Sequence, residues 1–143
     1  MSPYLDSEQV ILKLKNLKEY INILKKLQKI SLKEIENDPI KTGALLHYLQ
    51  LCAEISIDIG QMIISAESWE QPMDSVTIFL ILHKEKILSK NLATNFAAVA
   101  RFRNLIVHEY AKVDMKKVHN YLKKELHQFE NYSKAIAKYL SKR

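Results

Sequence analysis

Glycine and proline are scarce in this sequence, which restricts the folds available to it. The 143 residues include two Gly and three Pro, far below the average shares of about 7% and 5%. β-Sandwiches, barrels and folds with glycine-rich nucleotide loops need frequent tight turns, for which these residues are the usual choice. Apolar residues make up 48% of the chain, enough for a buried core and against disorder. We therefore expect one all-α domain over residues 1–143.

Capping residues and the helical spacing of apolar side chains divide the chain into elements. The predicted elements are a helix from near Ser7, one turn after Ser31, a long helix from about Lys41 to Ala66, helices near Ser75–Lys84 and about Lys90–Val107, and a last helix capped by Asp114. In that last helix, inward-facing positions are expected at Val118, Leu122, Phe129, Tyr132, Ile136 and Tyr139. The pattern predicts one bundle of four or five helices.

The net charge of +6 is unevenly distributed. Residues 42–83 carry five acids and no Lys or Arg, whereas residues 111–143 carry nine basic and three acidic side chains. A basic surface attracts a polyanion such as RNA. A lysine-rich helix face that is merely solvated has the same composition, so charge alone leaves both interpretations open.

The cysteine, the histidines and the apolar stretches of the sequence argue against a disulfide, a metal site, a signal peptide and a membrane span. The single Cys52 excludes an intramolecular disulfide and a multi-cysteine metal site. Apart from His108, which is considered below, the histidines show no spacing typical of a zinc site; they are His47, His83, His119 and His127. We expect no metal or cofactor. Asp6 and Glu8 argue against a signal peptide, and the longest strongly apolar run, Ile78–Leu82, is far below the ~20 residues of a membrane span. We expect a soluble, cytoplasmic protein.

One segment, Arg101–Tyr110 (RFRNLIVHEY), is chemically unusual. On a regular helix Arg103 falls in the same apolar stripe as Phe96 and Ile106. A buried guanidinium needs an anionic partner. That partner is either an internal acid, such as Asp58 or Glu54, or a phosphate. Arg101 is either a second phosphate contact or a solvated flank.

The same segment poses a geometric problem. Asn104 and His108 are four residues apart and share a helix face, whereas Arg103 and His108 lie about 140° apart. Two arrangements bring the last two together. The helix ends or distorts near His108, or a two-fold dimer joins the segments of two chains in a composite, positive cleft.

The pattern Arg103-Asn104-x-x-x-His108-x-Tyr110 resembles the R-x-x-x-x-H-x-Y signature of HepT toxins in the HEPN superfamily. Asp114 downstream also matches this form, as does the acid inside the apolar stretch Ile57-Asp58-Ile59 of the long helix. The resemblance implies a HEPN-type bundle that works as a homodimer, and an endoribonuclease toxin without a metal or cofactor.

The chemistry agrees with these implied roles, because RNA carries its own nucleophile, the 2′-hydroxyl. His108 is suited to moving a proton near neutral pH. Arg103 is suited to stabilising negative charge on a phosphate. Asn104 would orient His108 or donate to the phosphate.

The resemblance also implies a partner. HepT toxins are paired with an MntA-type nucleotidyltransferase antitoxin, which transfers AMP from ATP to the tyrosine of the signature. In this chain the acceptor would be Tyr110, where a bulky anion beside Arg103 and His108 would block RNA. The chain has no glycine-rich phosphate loop of its own. A homodimer, or a larger assembly with the antitoxin, is expected.

Two other functions stay open at this point. The chain is a non-catalytic helical partner or substrate-binding subunit of a nucleotidyltransferase, or it is a basic bundle that binds RNA without cutting it. Arg103 then serves only in a salt bridge, and His108 is a surface or capping residue. The intact Arg103 and His108 pair favours the enzyme, because a scaffold has no need of an ionisable side chain two residues before Tyr110.

Overall fold

Helices account for all the regular structure in the computed structural model, which describes residues 4–143. The described residues form seven α-helices and one 3₁₀ turn: α1 (Ser7–Gln28), α2 (Leu32–Glu36), α3 (Pro39–Glu67), α4 (Ser75–Lys84), α5 (Lys90–His108), the 3₁₀ turn Tyr110–Lys112, α6 (Met115–Glu125) and α7 (His127–Lys142). The all-α prediction is confirmed, and α2 is the single turn expected after Ser31.

Short polar side chains begin six of these helices. The capping residues of α1 to α6 are Asp6, Ser31, Asp38, Asp74, Ser89 and Asp114. Each accepts a hydrogen bond from a backbone N–H that the helix itself leaves unpaired. Two details differ from the prediction. Asp6 rather than Ser7 caps α1, and α3 begins at Pro39, whose fixed φ suits the first helical position.

Helix α3 lies at the centre of the bundle and packs against α1, α2, α4 and α5. It is also the one described helix that is long and apolar enough, by length and composition, to cross a bilayer. Half of its most apolar stretch is buried in the bundle. The apolar character of α3 is therefore accounted for by packing against its neighbours.

An aromatic cluster joins α4, α5 and α7. The Phe96 ring stacks on Tyr132 with ring centroids 4.5 Å apart, and it meets Phe79 and Phe129 at 5.3 Å each. All four side chains are buried. The Tyr132 hydroxyl donates to the Ser56 carbonyl of α3 at 2.7 Å. Such pairs contribute about 0.5–1.5 kcal/mol each beyond area burial, so this cluster anchors the first half of α5.

The last predicted helix is divided in two. Helices α6 and α7 meet at Leu126, whose φ of −56° and ψ of −34° are still helical. The Phe129 N–H donates to the Leu126 carbonyl at 3.2 Å, a tighter three-residue pattern that interrupts the regular one. The predicted inward positions are buried except Tyr139, which is only partly buried.

Candidate functional site

The helix that carries the signature ends inside it. Helix α5 stops at His108, and Glu109 leaves the helical region with φ −141° and ψ 50°. The chain then makes the 3₁₀ turn, in which the Lys112 N–H donates to the Glu109 carbonyl at 2.8 Å. Tyr110 therefore lies outside α5 and is 56% exposed. On a regular helix Tyr110 would share the apolar stripe of Phe96 and Ile106, and the departure of the backbone at Glu109 removes it from that stripe.

Arg103 lies against an acid of the neighbouring helix. Its Nε donates to Glu54 Oε1 of α3 at 3.4 Å, and its Nη1 donates to Asn104 Oδ1 at 3.3 Å. The predicted internal acid is therefore Glu54. The Arg103 side chain is 30% exposed, so the expected fully buried guanidinium is a half-buried one that contacts both Glu54 and solvent. An ion pair with that exposure contributes about 0–1 kcal/mol.

Asp58, the other acid considered for Arg103, has a different partner. Its Oδ2 lies 3.7 Å from Lys13 Nζ of α1, and its side chain is 57% exposed. Glu54 Oε1 accepts a second hydrogen bond, which Gln50 Nε2 donates at 3.0 Å. Two hydrogen bonds thus fix the carboxylate that holds Arg103.

A polar cleft of about 220 Å³ opens beside this pair. Its lining residues are Glu54, Ile57, Asp58, Ser75 and Arg103. Within one chain, the cleft presents one guanidinium against two carboxylates. The local field therefore disfavours a lone phosphate, and an anionic ligand needs further cations from elsewhere.

The remaining signature residues lie around the end of α5. His108 and Arg101 are exposed, and Asn104 is half-buried. The structure places Asn104 Oδ1 on Arg103. At the start of α4, hydrogen bonds from Thr77 and, to a smaller extent, the Arg101 charge lower the pKa of Asp74.

A second cavity, of about 230 Å³, opens along α5 and was not predicted. We call it the α5–α6 pocket. Its lining residues are Leu49, Ala98, Val99, Phe102, Leu105, Lys112, Asp114, Lys117, Val118, Tyr121 and Phe129. The only signal in the sequence was the apolar face formed by Ala98, Phe102 and Leu105, which is easily interpreted as ordinary core.

Two further histidines and the single cysteine, which are candidate metal ligands, have surroundings that explain them as parts of the fold. His83 Nδ1 lies 3.0 Å from the Leu88 carbonyl, and His119 Nε2 lies 2.9 Å from the Ile30 carbonyl. Cys52 is buried, and burial raises its pKa to about 12, which leaves the thiol unreactive. Across residues 4–143, no three His, Cys, Asp or Glu side chains are grouped so as to hold a metal ion.

Comparison with known proteins gives concordant matches. The sequence model of the family described as "Ribonuclease HepT-like" matches residues 17–136. A protein of Aphanizomenon flos-aquae named "tRNA nuclease HepT" is 31% identical over 99 residues, which cover 69% of this chain and 67% of that protein.

Two solved structures share the fold. The tri-AMPylated HEPN toxin of Shewanella oneidensis, in complex with MNT antitoxin, has a TM-score of 0.83 and 22% identity, covering 90% of this chain and 96% of that one. The cytosolic protein YutE of Bacillus subtilis, of unknown function, has a TM-score of 0.86 and 18% identity, covering 97% and 93%. At these identities the likeness shows the fold.

Proposed function

Because this chain belongs to the HepT-like ribonuclease family, we propose that it is a metal-independent endoribonuclease toxin acting through Arg103 and His108. Residues 1–143 act as a single domain in the cytoplasm. The observation that carries the proposal is the position of Arg103, which Glu54 and Asn104 hold five residues before the exposed His108. A fixed cation and an accessible imidazole are what phosphate-ester cleavage requires. Because α5 is helical through His108, the two side chains lie on different faces of the helix within one chain.

The reaction needs no nucleophile from the protein. The 2′-hydroxyl oxygen of RNA attacks the adjacent phosphorus, the bond from phosphorus to the 5′-oxygen breaks, and a 2′,3′-cyclic phosphate and a 5′-hydroxyl result. His108 accepts the proton of the 2′-hydroxyl or returns one to the departing 5′-oxygen. Arg103 stabilises the negative charge that grows on the phosphate oxygens. Arg101 is a second contact for the RNA backbone.

A two-fold homodimer supplies what one chain lacks. The cleft beside Arg103 has two carboxylates for one guanidinium within a chain. Joining the α5 ends of two chains brings two Arg103 and two His108 side chains to one cleft. One histidine then serves as base and the other as acid. Asn104 keeps the guanidinium in place through its hydrogen bond at 3.3 Å.

Tyr110 is the proposed acceptor of AMP from an MntA-type nucleotidyltransferase antitoxin. It is 56% exposed on the 3₁₀ turn, where another protein can reach its hydroxyl. Its oxygen attacks the α-phosphorus of ATP, the bond to the pyrophosphate breaks, and a Tyr–O–AMP ester forms as pyrophosphate leaves. The added phosphodiester places a negative charge two residues from His108, where it competes with RNA for the same cations.

The alternative function, a non-catalytic partner subunit of a nucleotidyltransferase, is favoured by one observation. Arg103 already has an anionic partner in Glu54, and such a pair stabilises the bundle whether or not RNA binds. On this alternative, His108 is a surface side chain without a chemical role.

A cleavage assay in excess EDTA separates the two functions. Total RNA and tRNA are incubated with wild-type protein produced without the antitoxin, with His108→Ala, and with His127→Ala, which removes an exposed histidine of α7 as a matched control. We expect cleavage by wild type and by the control, and a loss of about 10²–10⁴-fold in His108→Ala. Equal activity of all three proteins, or none in any, would contradict the proposal.

A further inference from the structure

The α5–α6 pocket has a lining suited to an aromatic group. Phe102 and Tyr121 lie on its walls, and the Tyr121 hydroxyl donates to Asn95 Oδ1 at 3.2 Å, which fixes that ring. Tyr121 is further held edge-to-face against Phe129, with centroids 6.5 Å apart. The volume of about 230 Å³ is below the roughly 300 Å³ at which ligand pockets usually begin. It therefore suits one small planar group rather than a larger ligand.

Two lysines lie at the edge of this apolar space. Lys112 and Lys117 line the pocket and are exposed. Lys112 Nζ pairs with Glu109 Oε1 at 3.0 Å, but its side chain is 71% exposed, so the pair is weak and exchangeable. Asp114 also lines the pocket, and its capping hydrogen bond from the Lys116 N–H at 3.0 Å does not remove its charge, so two lysines against one carboxylate leave the edge net positive. An apolar slot with lysines at its edge is complementary to a nucleotide, with an apolar base and an anionic phosphate.

The pocket also lies beside the proposed catalytic residues. Leu105 lines the pocket and His108 follows it three residues later on α5, so the two side chains are neighbours on the helix surface. Lys112 belongs to the same 3₁₀ turn as Tyr110. A nucleotide whose base enters the pocket thus has its phosphate at the His108 end of α5.

We propose that the α5–α6 pocket receives one unstacked base of single-stranded RNA and thereby selects the position of cleavage. This inference rests on the proposed ribonuclease function and adds a specificity site to it. A docked protein is the competing occupant, but a stable protein interface buries about 800 Å² on each partner, far more than a cavity of this size presents.

The test fills the pocket without touching the core. Ala98 lines the pocket yet is exposed, so Ala98→Trp blocks it, and Ala137→Trp on the exposed face of α7 is the matched control. Both are made in the His108→Ala background, and affinity is measured for a single-stranded RNA carrying 4-thiouridine at successive positions. We expect photocrosslinks to the Phe102 and Tyr121 peptides in the parent and the control. In Ala98→Trp we expect loss of these crosslinks and about tenfold weaker binding.

The results of this experiment distinguish failure of the pocket proposal from failure of the proposed ribonuclease function. Unchanged crosslinks and affinity in Ala98→Trp would overturn the pocket proposal, even if wild-type protein cleaves RNA through His108. Pocket crosslinks without any cleavage by wild type would support base binding in the pocket, but they would overturn the nuclease and with it the role of the pocket in selecting a cleavage position. Lys117→Glu provides an independent variant at the pocket edge, expected to weaken RNA binding and to leave thermal stability unchanged. Loss of antitoxin binding with normal RNA binding in Ala98→Trp would also overturn the proposal.

Discussion

The two halves of α5 differ in burial and in their proposed roles. The first half buries one face in the core, where Phe96 contacts Phe79, Phe129 and Tyr132. The second half carries Arg101 to His108 and is mostly exposed or half-buried. A helix anchored so firmly at one end positions the polar groups at its other end without requiring them to stabilise the fold. The comparison assigns stability to the first half of α5 and chemistry to the second half. Single substitutions in each half test that assignment.

Truncating the centre of the buried half should have the largest effect. Phe96→Ala removes a fully buried ring and its aromatic contacts, and we expect the free energy of unfolding to fall by about 3–5 kcal/mol. Chemical denaturation measures this change. A loss below 1 kcal/mol would show that the aromatic cluster does not anchor α5.

Arg103→Ala should give the opposite profile. We expect cleavage to fall about 10²–10³-fold while the free energy of unfolding changes by about 1 kcal/mol or less, since the Glu54 pair is half-exposed. Single-turnover cleavage and denaturation are measured on the same preparation. Arg103→Lys serves as the control for charge, and we expect it to recover only part of the rate because it lacks the planar fork. Destabilisation matching that of Phe96→Ala would assign Arg103 to the fold instead.

The aromatic cluster that anchors the buried half of α5 includes Tyr132 of α7, whose polar contact should matter modestly. Tyr132→Phe removes the hydroxyl that donates to the Ser56 carbonyl at 2.7 Å, and it leaves that carbonyl with one partner fewer. We expect a loss of about 1–3 kcal/mol in stability and unchanged cleavage at a temperature where the protein is folded. A change in cleavage rate without a change in stability would break the division between the halves.

The smallest expected effect concerns Glu54. Glu54→Gln keeps the shape of the side chain, but it removes the charge that pairs with Arg103 Nε at 3.4 Å. We expect stability to change by less than about 1 kcal/mol and RNA affinity to rise, because one acid fewer faces the cleft. Asp58→Asn at the same cleft is the matched comparison. Weaker RNA binding in Glu54→Gln would show that the hold of Glu54 on Arg103 matters more for RNA than the negative charge it adds to the cleft.

Much of the fold could be predicted from local chemistry. Caps such as Ser31, Ser89 and Asp114 begin helices in the structure because each supplies an acceptor to an unpaired N–H. The HEPN-type bundle expected from the resemblance is confirmed by the fold shared with the Shewanella oneidensis toxin. The Arg103 partner was foreseen because a cation in an apolar stripe requires one.

The features that were not predicted depend on contacts that the pattern of residues along the sequence does not contain. The end of α5 at His108 was predicted to within one residue, but no Gly or Pro marks the turn that follows, so the 3₁₀ turn that holds Tyr110 left no local signal. The interruption at Leu126 is similar, since its φ and ψ stay helical. The α5–α6 pocket draws its lining from α3, α5, α6, α7 and the turn between, and helix packing alone brings those residues together.

The most direct measurement of the central claim is the chemistry of the RNA ends. Wild-type protein free of antitoxin is incubated with a defined RNA in EDTA, and the fragments are analysed by mass spectrometry. Arg103 and His108 acting on the 2′-hydroxyl predict a 2′,3′-cyclic phosphate on one fragment and a 5′-hydroxyl on the other. They also predict no cleavage of an RNA carrying a single 2′-deoxy nucleotide at the cleavage position. Fragments ending in a 3′-hydroxyl and a 5′-phosphate, or cleavage at the deoxy position, would contradict the account.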